Sequence, residues 1–501
     1  MLALPRPSAS TTSSAIVGVS LRFTTPQSRN VIFIVPDGHG QAAQGLVRTF
    51  LSQEAQGEDT HQIRDLSADQ SSIGAVRHHS ADSFVTDSAA AGTAFATGFK
   101  TNNGMIGQGT DGRALGNILE AAKLAGYATG LVVTSIINHA TPAAFSSHVA
   151  NRNDYDRVAA QQIGYSHPLG HVVDILLGGG RCYFKPKSDS SSCRKDDLNL
   201  FAFAQKEGWT IAQDRDEYND KFGTGETIEL PFIGVFNDGD LKYEVDRARD
   251  QDEPSLAEMV ETALNALTRA TTSAESGSGN YPTTSPGYFL MIEASRIDHA
   301  GHANDPVAIL HDAIMYNKVF ELVKNHIDNH PDTILMAAAD HETGGLVMPS
   351  GCNPALLSNA TAAAETVEKK FKAYSDADRE GHLRDTLLPL YGIDGASLSA
   401  ENLSAMAASD DLAGDLVDLM NKRVGLSWGT GGHSAIDTTL VAYAAGEKGS
   451  VLKADMAGSW DNTELVKYWE KVLRVDIAAV TERLKIEGED GWMGTASQEE
   501  Q

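Results

Sequence analysis

Two carboxylates and two imidazoles crowd the stretch 293–302, whose sequence is Glu-Ala-Ser-Arg-Ile-Asp-His-Ala-Gly-His. Asp298 and His302 stand four positions apart, so their side chains share one face if the stretch is helical. Carboxylate oxygen combined with imidazole nitrogen suits zinc, whereas a site made only of oxygens suits magnesium. The stretch therefore predicts a metal site, and a solvated polar loop is the alternative.

Two further segments carry ligands of the same kind. Asp340 and His341 are followed closely by Gly344 and Gly345. Neighbouring Asp and His side chains reach one ion only from a sharp turn, which the glycines permit. His433 ends the glycine-rich stretch 429–433. A lone histidine is more often structural, but here it could complete a site that is short of one nitrogen ligand.

Ser88 opens a stretch of small residues that follows Asp87. An ordinary helix cap is one interpretation. The other is a serine at a helix N-terminus, where backbone N–H groups and the helix dipole favour an anion. Serine is a weak nucleophile unless a base or a metal activates it. The sequence shows no obvious Ser-His-Asp arrangement, so metal activation is the natural route.

The elements that must position these residues are visible as apolar runs bounded by turn signals. The runs predict buried strands over 31–35, 129–134, 288–292, 333–339 and 438–443. Helical patterns predict helices over 115–124, 255–270, 306–327 and 463–484. This alternation predicts an α/β fold with a central, mostly parallel sheet that is flanked by helices on both faces.

Carboxylates follow three of the predicted strands. Asp37, Glu293 and Asp340 each come soon after an apolar run. Ligands of open α/β sheets sit beyond the carboxyl ends of the strands. A helix N-cap is the alternative for any one of these residues, but three in one chain favour a shared site.

One catalytic domain is expected over 28–487. An Ala-, Asp- and Ser-rich helical segment at 349–422 is interpreted as an insertion over the sheet edge. Residues 1–27 are expected to form a flexible arm and 488–501 a tail, and the Ser/Thr/Gly-rich stretch 271–286 reads as a surface loop. The apolar piece 15–19 is too short for a convincing signal sequence.

The chain of 501 residues has a formal net charge of −27. Such an acidic chain is a poor candidate for binding nucleic acid, which requires a basic surface. Any anionic ligand must be held by a strong local positive site, such as metal ions and an arginine. No apolar run approaches the roughly 18 residues of a membrane-spanning helix.

Three cysteines are present, of which Cys182 and Cys193 flank a Ser-rich stretch. They could close a short loop or remain free thiols, and the sequence does not decide. Asn359 and Asn402 begin sequons for N-glycosylation, which weakly favour a secretory route.

Taken together, these stretches resemble the alkaline phosphatase family, and its fungal vacuolar-type members most closely. The matching residues run from Asp37-Gly38 to His433, in the family's order and spacing. The resemblance implies the alkaline phosphatase fold with a crown-like insertion. It also implies hydrolysis of phosphate monoesters to an alcohol and inorganic phosphate through a covalent phosphoserine, with two Zn²⁺ and one Mg²⁺. A homodimer in a vacuolar, lumenal or secreted location is implied as well.

The resemblance further assigns roles to individual residues, with Ser88 as the phosphorylated nucleophile. The implied ligands are Asp298, His302 and His433 for the first zinc, Asp37, Asp340 and His341 with Ser88 for the second, and Asp37, Thr141 and Glu293 for magnesium. Arg152 is implied to clamp the substrate phosphate, with Asp87 orienting it. His139, in the loop of the third metal, is expected to contact magnesium through water. His39 stands where many relatives have Met and is interpreted as supporting or structural.

Two other functions compete. Phosphodiesterases, sulfatases and phosphoglycerate mutases of the same superfamily share the metal frame but differ in nucleophile and pocket. Asp87-Ser88-Ala89 and Arg152 favour the monoesterase. A metal-stabilised binding or storage protein on the same fold is the second alternative, and it would be expected to lack a ligand or the nucleophile.

Overall fold

A computed structural model describes residues 28–57, 62–272, 285–488 and 491–494. The predicted arm at 1–27 and most of the predicted loop at 271–286 lie outside the described residues, and 271–272 end a helix. Within the described residues, no helix combines the length and the apolarity needed to span a bilayer.

Ten strands form one sheet in the order β14-β2-β13-β8-β1-β7-β3-β4-β6-β5. The strands are β1 (Asn30–Val35), β2 (Ser72–Arg77), β3 (Ala128–Ile136), β4 (Ile175–Gly179), β5 (Thr210–Ala212), β6 (Phe232–Val235), β7 (Tyr288–Glu293), β8 (Thr333–Ala337), β13 (Thr438–Ala444) and β14 (Gly458–Asp461). β13 is antiparallel to both of its neighbours, and the other pairs are parallel. The predicted mostly parallel sheet is confirmed.

Two short antiparallel ribbons tie the segment after β8 to the segment before β13. One pairs β9 (Glu342–Thr343) with β12 (His433–Ser434), and the other pairs β10 (Leu346–Val347) with β11 (Ser427–Trp428). His433 lies opposite Thr343 in the first ribbon. The ribbons therefore bring His433 beside the Asp340-His341 turn, although some ninety positions separate them in the sequence.

Helices cover both faces of the sheet. They are α1 (Gln41–Gln56), α2 (Ser67–Gln70), α3 (Ser88–Thr97), α4 (Ile118–Leu124), α5 (Ala140–Ala144), α6 (Tyr155–Gln162), α7 (Leu200–Lys206), α8 (Arg215–Lys221), α9 (Glu244–Asp250), α10 (Leu256–Thr272), α11 (Arg296–His302), α12 (Pro306–Asn329), α13 (Ala364–Ala373), α14 (Arg379–His382), α15 (Leu388–Leu390), α16 (Ala400–Ala407), α17 (Leu412–Val424), α18 (Glu447–Met456), α19 (Leu465–Leu473) and α20 (Ile477–Glu487). Short 3₁₀ segments lie at Arg181–Phe184, Pro354–Leu357 and Gly395–Ser397, and a π-helical turn lies at Leu383–Leu387.

Alternation along β1 explains the layers. Ile32 and Ile34 join one hydrophobic cluster, which includes residues of α1, α10 and α12. Val31, Phe33 and Val35 point to the opposite cluster, built on α3, α4, α19 and α20. Successive side chains of a strand face opposite sides of the sheet, so a strand buried on both sides has to be apolar throughout.

Two helix predictions need correction. The pattern over 463–484 predicts a continuous helix, but the chain breaks between α19 and α20, where Arg474 adopts a positive φ of 56°. The helix predicted from 115 begins at Ile118, because the side chain of Asn117 accepts from the backbone N–H of Glu120 and the Glu120 carboxylate caps Asn117 in return.

The segment 349–422 is largely helical and packs against helices of the domain. Its 3₁₀ turn at Pro354–Leu357 contacts α1, and α17 contacts α12. Asp305, the N-cap of α12, also accepts a hydrogen bond from the Tyr391 hydroxyl at 2.9 Å and from the backbone N–H of Ala364 at 3.0 Å. The insertion is thereby joined to the junction between α11 and α12.

Cys182 and Cys193 form a disulfide, which settles the alternative left open by the sequence, and Cys352 is a free thiol. The described part of the C-terminal tail packs on the domain: the Trp492 carbonyl accepts hydrogen bonds from Arg157 and Gln161.

Candidate active site

Three neighbouring strands deliver carboxylates to one edge of the sheet. β1 lies between β7 and β8, and Val35 of β1 is in register with Glu293 of β7. Asp37 and Asp340 follow the ends of β1 and β8. Gly38 has a φ of +70°, and a Cβ there would lie 2.6 Å from the Asp298 Cα. Only glycine lets the Asp37 turn approach α11 so closely.

Ser88 is the first residue of α3 and is buried. Asp87 caps this helix by accepting from the Ala90 N–H at 2.9 Å. A Cβ on Gly92 would lie 3.0 Å from the Cβ of Ala144. The small residues of α3 therefore let α5, which carries Thr141, pack directly against it.

Asp298, His302 and His433 form the first ligand cluster. The two imidazole Nε2 atoms lie 3.1 Å apart, and the Asp298 carboxylate lies 3.4 Å from His302 and 3.6 Å from His433. His302 Nδ1 donates to the Gly431 carbonyl and His433 Nδ1 donates to the Thr86 carbonyl, each at 2.8 Å. Each ring thus keeps Nε2 as the atom that would bind a metal, in the manner of metal-bound histidines. A hydrogen bond to the Asp298 carboxylate raises the pKa of His302 to about 9, so a metal would have to displace a proton from this nitrogen.

Asp37, Asp340 and His341 form the second cluster. His341 Nε2 lies 3.2 Å from Asp340 Oδ2 and 3.7 Å from Asp37 Oδ1. The Ser88 hydroxyl lies 3.1 Å from the same nitrogen. These three ligands and the serine surround one point, as the sequence predicted.

Thr343 links the two clusters. Its hydroxyl donates to Asp298 Oδ1, and it therefore accepts from His341 Nδ1 at 3.2 Å. His341 Nε2 is then unprotonated and faces Ser88. Burial lowers the pKa of His341 to about 4, so this imidazole is neutral and a weak base near neutral pH.

Oxygen atoms dominate a third cluster. Asp37 and Glu293 offer ligand atoms within 4.8 Å of one another and of His139. Both oxygens of each carboxylate and the Thr141 hydroxyl are buried without a hydrogen-bond partner. Burial raises the pKa of Glu293 to about 8. Burial, followed by the charge of Asp340, raises the pKa of Asp37 well above its usual range.

The three clusters fit metal ions. Buried polar atoms in proteins are nearly always paired, and unpaired buried carboxylates are costly. The carboxylates of Asp37, Asp340 and Glu293 lie together with their free oxygens unpaired, and the Nε2 atoms of His302 and His433 lie only 3.1 Å apart. Divalent cations resolve both conflicts, since they hold carboxylates ionised and accept imidazole lone pairs.

Arg152 borders the clusters. Its NH1 donates to Asp87 Oδ2 at 3.0 Å, and its NH2 lies 3.3 Å from His139 Nε2. The Asp87 carboxylate also accepts from the Gly104 N–H at 2.9 Å. Asp87 therefore holds the guanidinium in place while it caps the helix that begins with Ser88.

All of the sequence-predicted site residues come together in the structure. His139 contacts Arg152 and lies within ligand distance of the oxygen cluster, and His39 packs against Tyr316 outside it. Thr343 and His299 received no role from the sequence. Thr343 stands two positions after His341 and His299 directly follows Asp298, and this proximity is the only signal for either.

A further group of one carboxylate and two imidazoles lies elsewhere in the described residues, but it does not fit a metal. It consists of Glu120, His148 and His167. His148 donates from Nδ1 to the Gly107 carbonyl and from Nε2 to Glu120, each at 2.7 Å, so it is a cation. His167 Nδ1 accepts from the Leu169 N–H, which leaves its proton on Nε2, facing Glu120. No lone pair is free, and the group is a buried ion pair.

Comparison with known proteins shows the family to which the chain is similar. Residues 28–475 match the family model described as alkaline phosphatase. The repressible alkaline phosphatase of Saccharomyces cerevisiae is 37% identical over 495 residues, covering 93% of this chain and 85% of the relative. Alkaline phosphatase 3 of Bacillus subtilis is 31% identical over 90% of both chains.

Solved structures agree. The crystal structure of Thermus thermophilus alkaline phosphatase superimposes with a TM-score of 0.72 at 27% identity, covering 92% of this chain and 96% of the other. The cold-active enzyme from Shewanella sp. gives the same TM-score of 0.72 at 26% identity, covering 89% and 99%.

Replacing Asp37 by Asn should have opposite effects with and without metal. In chelator, the variant should be more stable by about 1–2 kcal/mol, because one buried unpaired carboxylate is neutralised. With zinc and magnesium, wild type should gain stability by mass action and the variant far less. Thermal unfolding in both conditions measures this, with Asp411→Asn, at an exposed helix cap, as the control. A variant stabilised by metal as much as wild type would contradict the ligand role.

Proposed function

The chain belongs to the metal-dependent alkaline phosphatase family, enzymes that hydrolyse phosphate monoesters, and from this premise we propose that it acts through a covalent phosphoserine at Ser88 beside two zinc ions and one magnesium ion. The observation that carries the proposal is the convergence on Ser88 of buried, unpartnered metal-type ligands from separate strand ends.

The ligand sets follow the three clusters. Asp298, His302 and His433 would hold one zinc, and Asp37, Asp340, His341 and Ser88 the other. Asp37, Thr141 and Glu293 would hold magnesium, since that cluster is dominated by oxygen. When bound, paired cations stabilise the attacking and leaving oxygens and favour ionisation of a coordinated hydroxyl.

The chain's own residues position the reacting groups. The first backbone N–H groups of α3 point toward the region beside Ser88, where they favour an anion. Arg152, fixed by Asp87, presents donors to two phosphate oxygens. NH1 is held by Asp87 and NH2 lies 3.3 Å from His139 Nε2, so the remaining N–H donors of the guanidinium would contact the substrate.

Two displacements then follow. Ser88 Oγ loses its proton to solvent and forms a bond to phosphorus while the ester P–O bond breaks, and the leaving alkoxide takes a proton from solvent. Water then attacks the phosphoserine, the bond to Ser88 breaks and inorganic phosphate is released. Each step inverts phosphorus, so configuration is retained overall. Because the transition state is loose, positioning and charge stabilisation contribute most of the rate.

A Ser–His pair is the alternative route for activating Ser88, since its hydroxyl lies 3.1 Å from His341. Two features disfavour it. Burial keeps the pKa of His341 at about 4, and its Nδ1 donates to Thr343 rather than to an orienting carboxylate. The neutral nitrogen facing a carboxylate pair is better suited to a metal.

The core of the proposal is tested by hydrolysis of a chromogenic phosphate monoester at alkaline pH. Activity should disappear with chelator and return with zinc and magnesium. Ser88→Ala should abolish burst phosphorylation and reduce kcat by at least about 10³-fold, in the range found for loss of a nucleophile. Parallel assays with a diester and a sulfate ester separate the competing reactions. A normal burst in Ser88→Ala, or faster diester cleavage, would overturn the assignment.

Arg152→Ala should weaken inhibition by inorganic phosphate by about 10- to 100-fold, because two charge-assisted hydrogen bonds are lost. The inhibition constant of Arg152→Lys should lie between those of wild type and Arg152→Ala, since lysine keeps the charge but not the planar fork. Arg113→Ala, which removes an exposed arginine paired with Asp111, is the control. An unchanged inhibition constant in Arg152→Ala would rule out the clamp.

We propose that the protein is glycosylated and that it is lumenal, vacuolar or secreted. The Cys182–Cys193 disulfide favours an oxidising compartment, and Asn359 and Asn402 are both exposed on the insertion. Wild-type protein from a eukaryotic secretory host should lose mass when it is treated with a peptide N-glycosidase. The double variant Asn359→Gln/Asn402→Gln should not, and wild-type protein without glycans would count against the glycosylation.

We also propose a homodimer, which sedimentation of the same sample tests. A monomeric sample would count against it.

A further inference from the structure

A hollow of about 450 Å³ lies beside α11, between the loop 237–243, α9 and α13 of the insertion. Five of its lining residues are basic and four are acidic, whereas the whole chain has 40 basic and 67 acidic residues. The basic residues are Lys242, Arg249, Arg296, Lys369 and Lys370. The hollow therefore has a small excess of basic residues on a strongly acidic protein, although Lys242, Arg249 and Lys369 are paired with carboxylates.

Arg296 is the buried cation of this hollow, with 9% of its surface exposed. Its guanidinium lies 3.8 Å from the centre of the Tyr243 ring, which fixes its plane. NH1 donates to Asp240 Oδ2 at 3.1 Å and to His299 Nδ1 at 2.7 Å. Nε has no partner, and NH2 lies 3.8 Å from Glu365, which is beyond hydrogen-bond distance.

The guanidinium edge formed by Nε and NH2 is thus unfilled. That edge matches the two oxygens of a carboxylate or a phosphate. The carboxylate of Glu365 lies opposite this edge. The Glu365 side chain is 46% exposed and pairs with Lys369, one turn further along α13. An exposed glutamate can move aside, so a ligand anion can take its place.

The hollow is adjacent to the phosphate clamp. The rings of His299 and His139 contact edge to face, with centroids 5.7 Å apart, and His139 lies 3.3 Å from Arg152. The sequence of contacts therefore runs from Arg296 through two imidazoles to Arg152. Two side chains therefore separate the hollow from the proposed phosphate clamp.

We propose that the hollow at Arg296 binds a second anionic group of the substrate, a carboxylate or a second phosphate on the alcohol portion. This rests on the proposed phosphomonoesterase function. The favoured substrates are phosphate monoesters with two anionic ends, such as bisphosphates and phosphorylated carboxylic acids. Arg296 provides the bidentate contact, and Lys370, which makes no ion pair among the described residues, adds positive charge at the rim.

A purely structural role for Arg296 is the rival explanation, in which its contact with Glu365 ties the insertion to α11. The two explanations predict different results for Glu365→Gln. If the contact is only a tie, the variant is less stable and hydrolyses all monoesters equally. If Glu365 occupies an anion site, removing its charge raises activity on monoesters whose alcohol portion carries an anionic group, relative to monoesters whose alcohol portion is uncharged.

The test compares kcat/KM for hexyl phosphate with that for the phosphate monoester of ω-hydroxyhexanoate, which differs by a carboxylate at the far end. Wild type should prefer the carboxylate substrate. Glu365→Gln should raise that preference, and Lys370→Glu should lower it, each by about two- to fivefold for one partly exposed charge. The effect should appear in KM. Lys453→Ala, on the exposed face of α18, is the control for loss of a lysine elsewhere.

The outcomes separate the two proposals. If neither substrate is hydrolysed in any metal condition, the proposed phosphomonoesterase function fails. If both are hydrolysed but the preference is unchanged in Glu365→Gln and Lys370→Glu, the function stands and the anion subsite is wrong. A change that also appears in Lys453→Ala would reflect net charge alone and would equally overturn the subsite.

Discussion

The mutual repulsion of buried ligand atoms is the constraint on which the rest of the structure depends. Asp37, Glu293 and Asp340 are held together at the carboxyl ends of β1, β7 and β8 with several oxygens unpaired. Such an arrangement is unfavourable in a protein interior unless cations neutralise it. Metal binding is therefore expected to contribute to the stability of the folded chain.

The backbone prepares the imidazoles for the same task. His302 and His433 each donate one nitrogen to a backbone carbonyl, and His341 donates to Thr343. These contacts fix the tautomers and leave Nε2 free. Asn421 of α17 adds a further support, since it donates to the Asn304 carbonyl just after α11 and accepts from the Trp428 indole. The insertion thus fastens the segment of His302 to the segment of His433.

Much of this could be predicted from the sequence, because strand ends and ligand types are local features. Five strands and the residues that follow them were identified by apolar runs alone. The other five strands of the sheet, β2, β4, β5, β6 and β14, were missed. β2 is largely part-exposed and β14 is short and polar. β4, β5 and β6 have only three to five residues each, and glycine interrupts the apolar run in β4 and β6. The break at Arg474 was missed because its positive φ is not marked by glycine.

Contacts between distant segments could not be predicted for a different reason. The hydrogen bond from Thr343 to Asp298 and the approach of Glu365 to Arg296 join residues that are 45 and 69 positions apart. The first contact depends on the turn that follows β8 and the second on how the insertion packs, and periodicity encodes neither. Composition had indicated only that an acidic chain needs a local positive site for an anion. The site that we propose has two parts: Arg152 is held by Asp87, which also caps α3, and Arg296 is held by its contact with the Tyr243 ring. Two fixed guanidiniums next to one set of ligand clusters select for charge at both ends of a substrate, whereas a single clamp selects only for the phosphate.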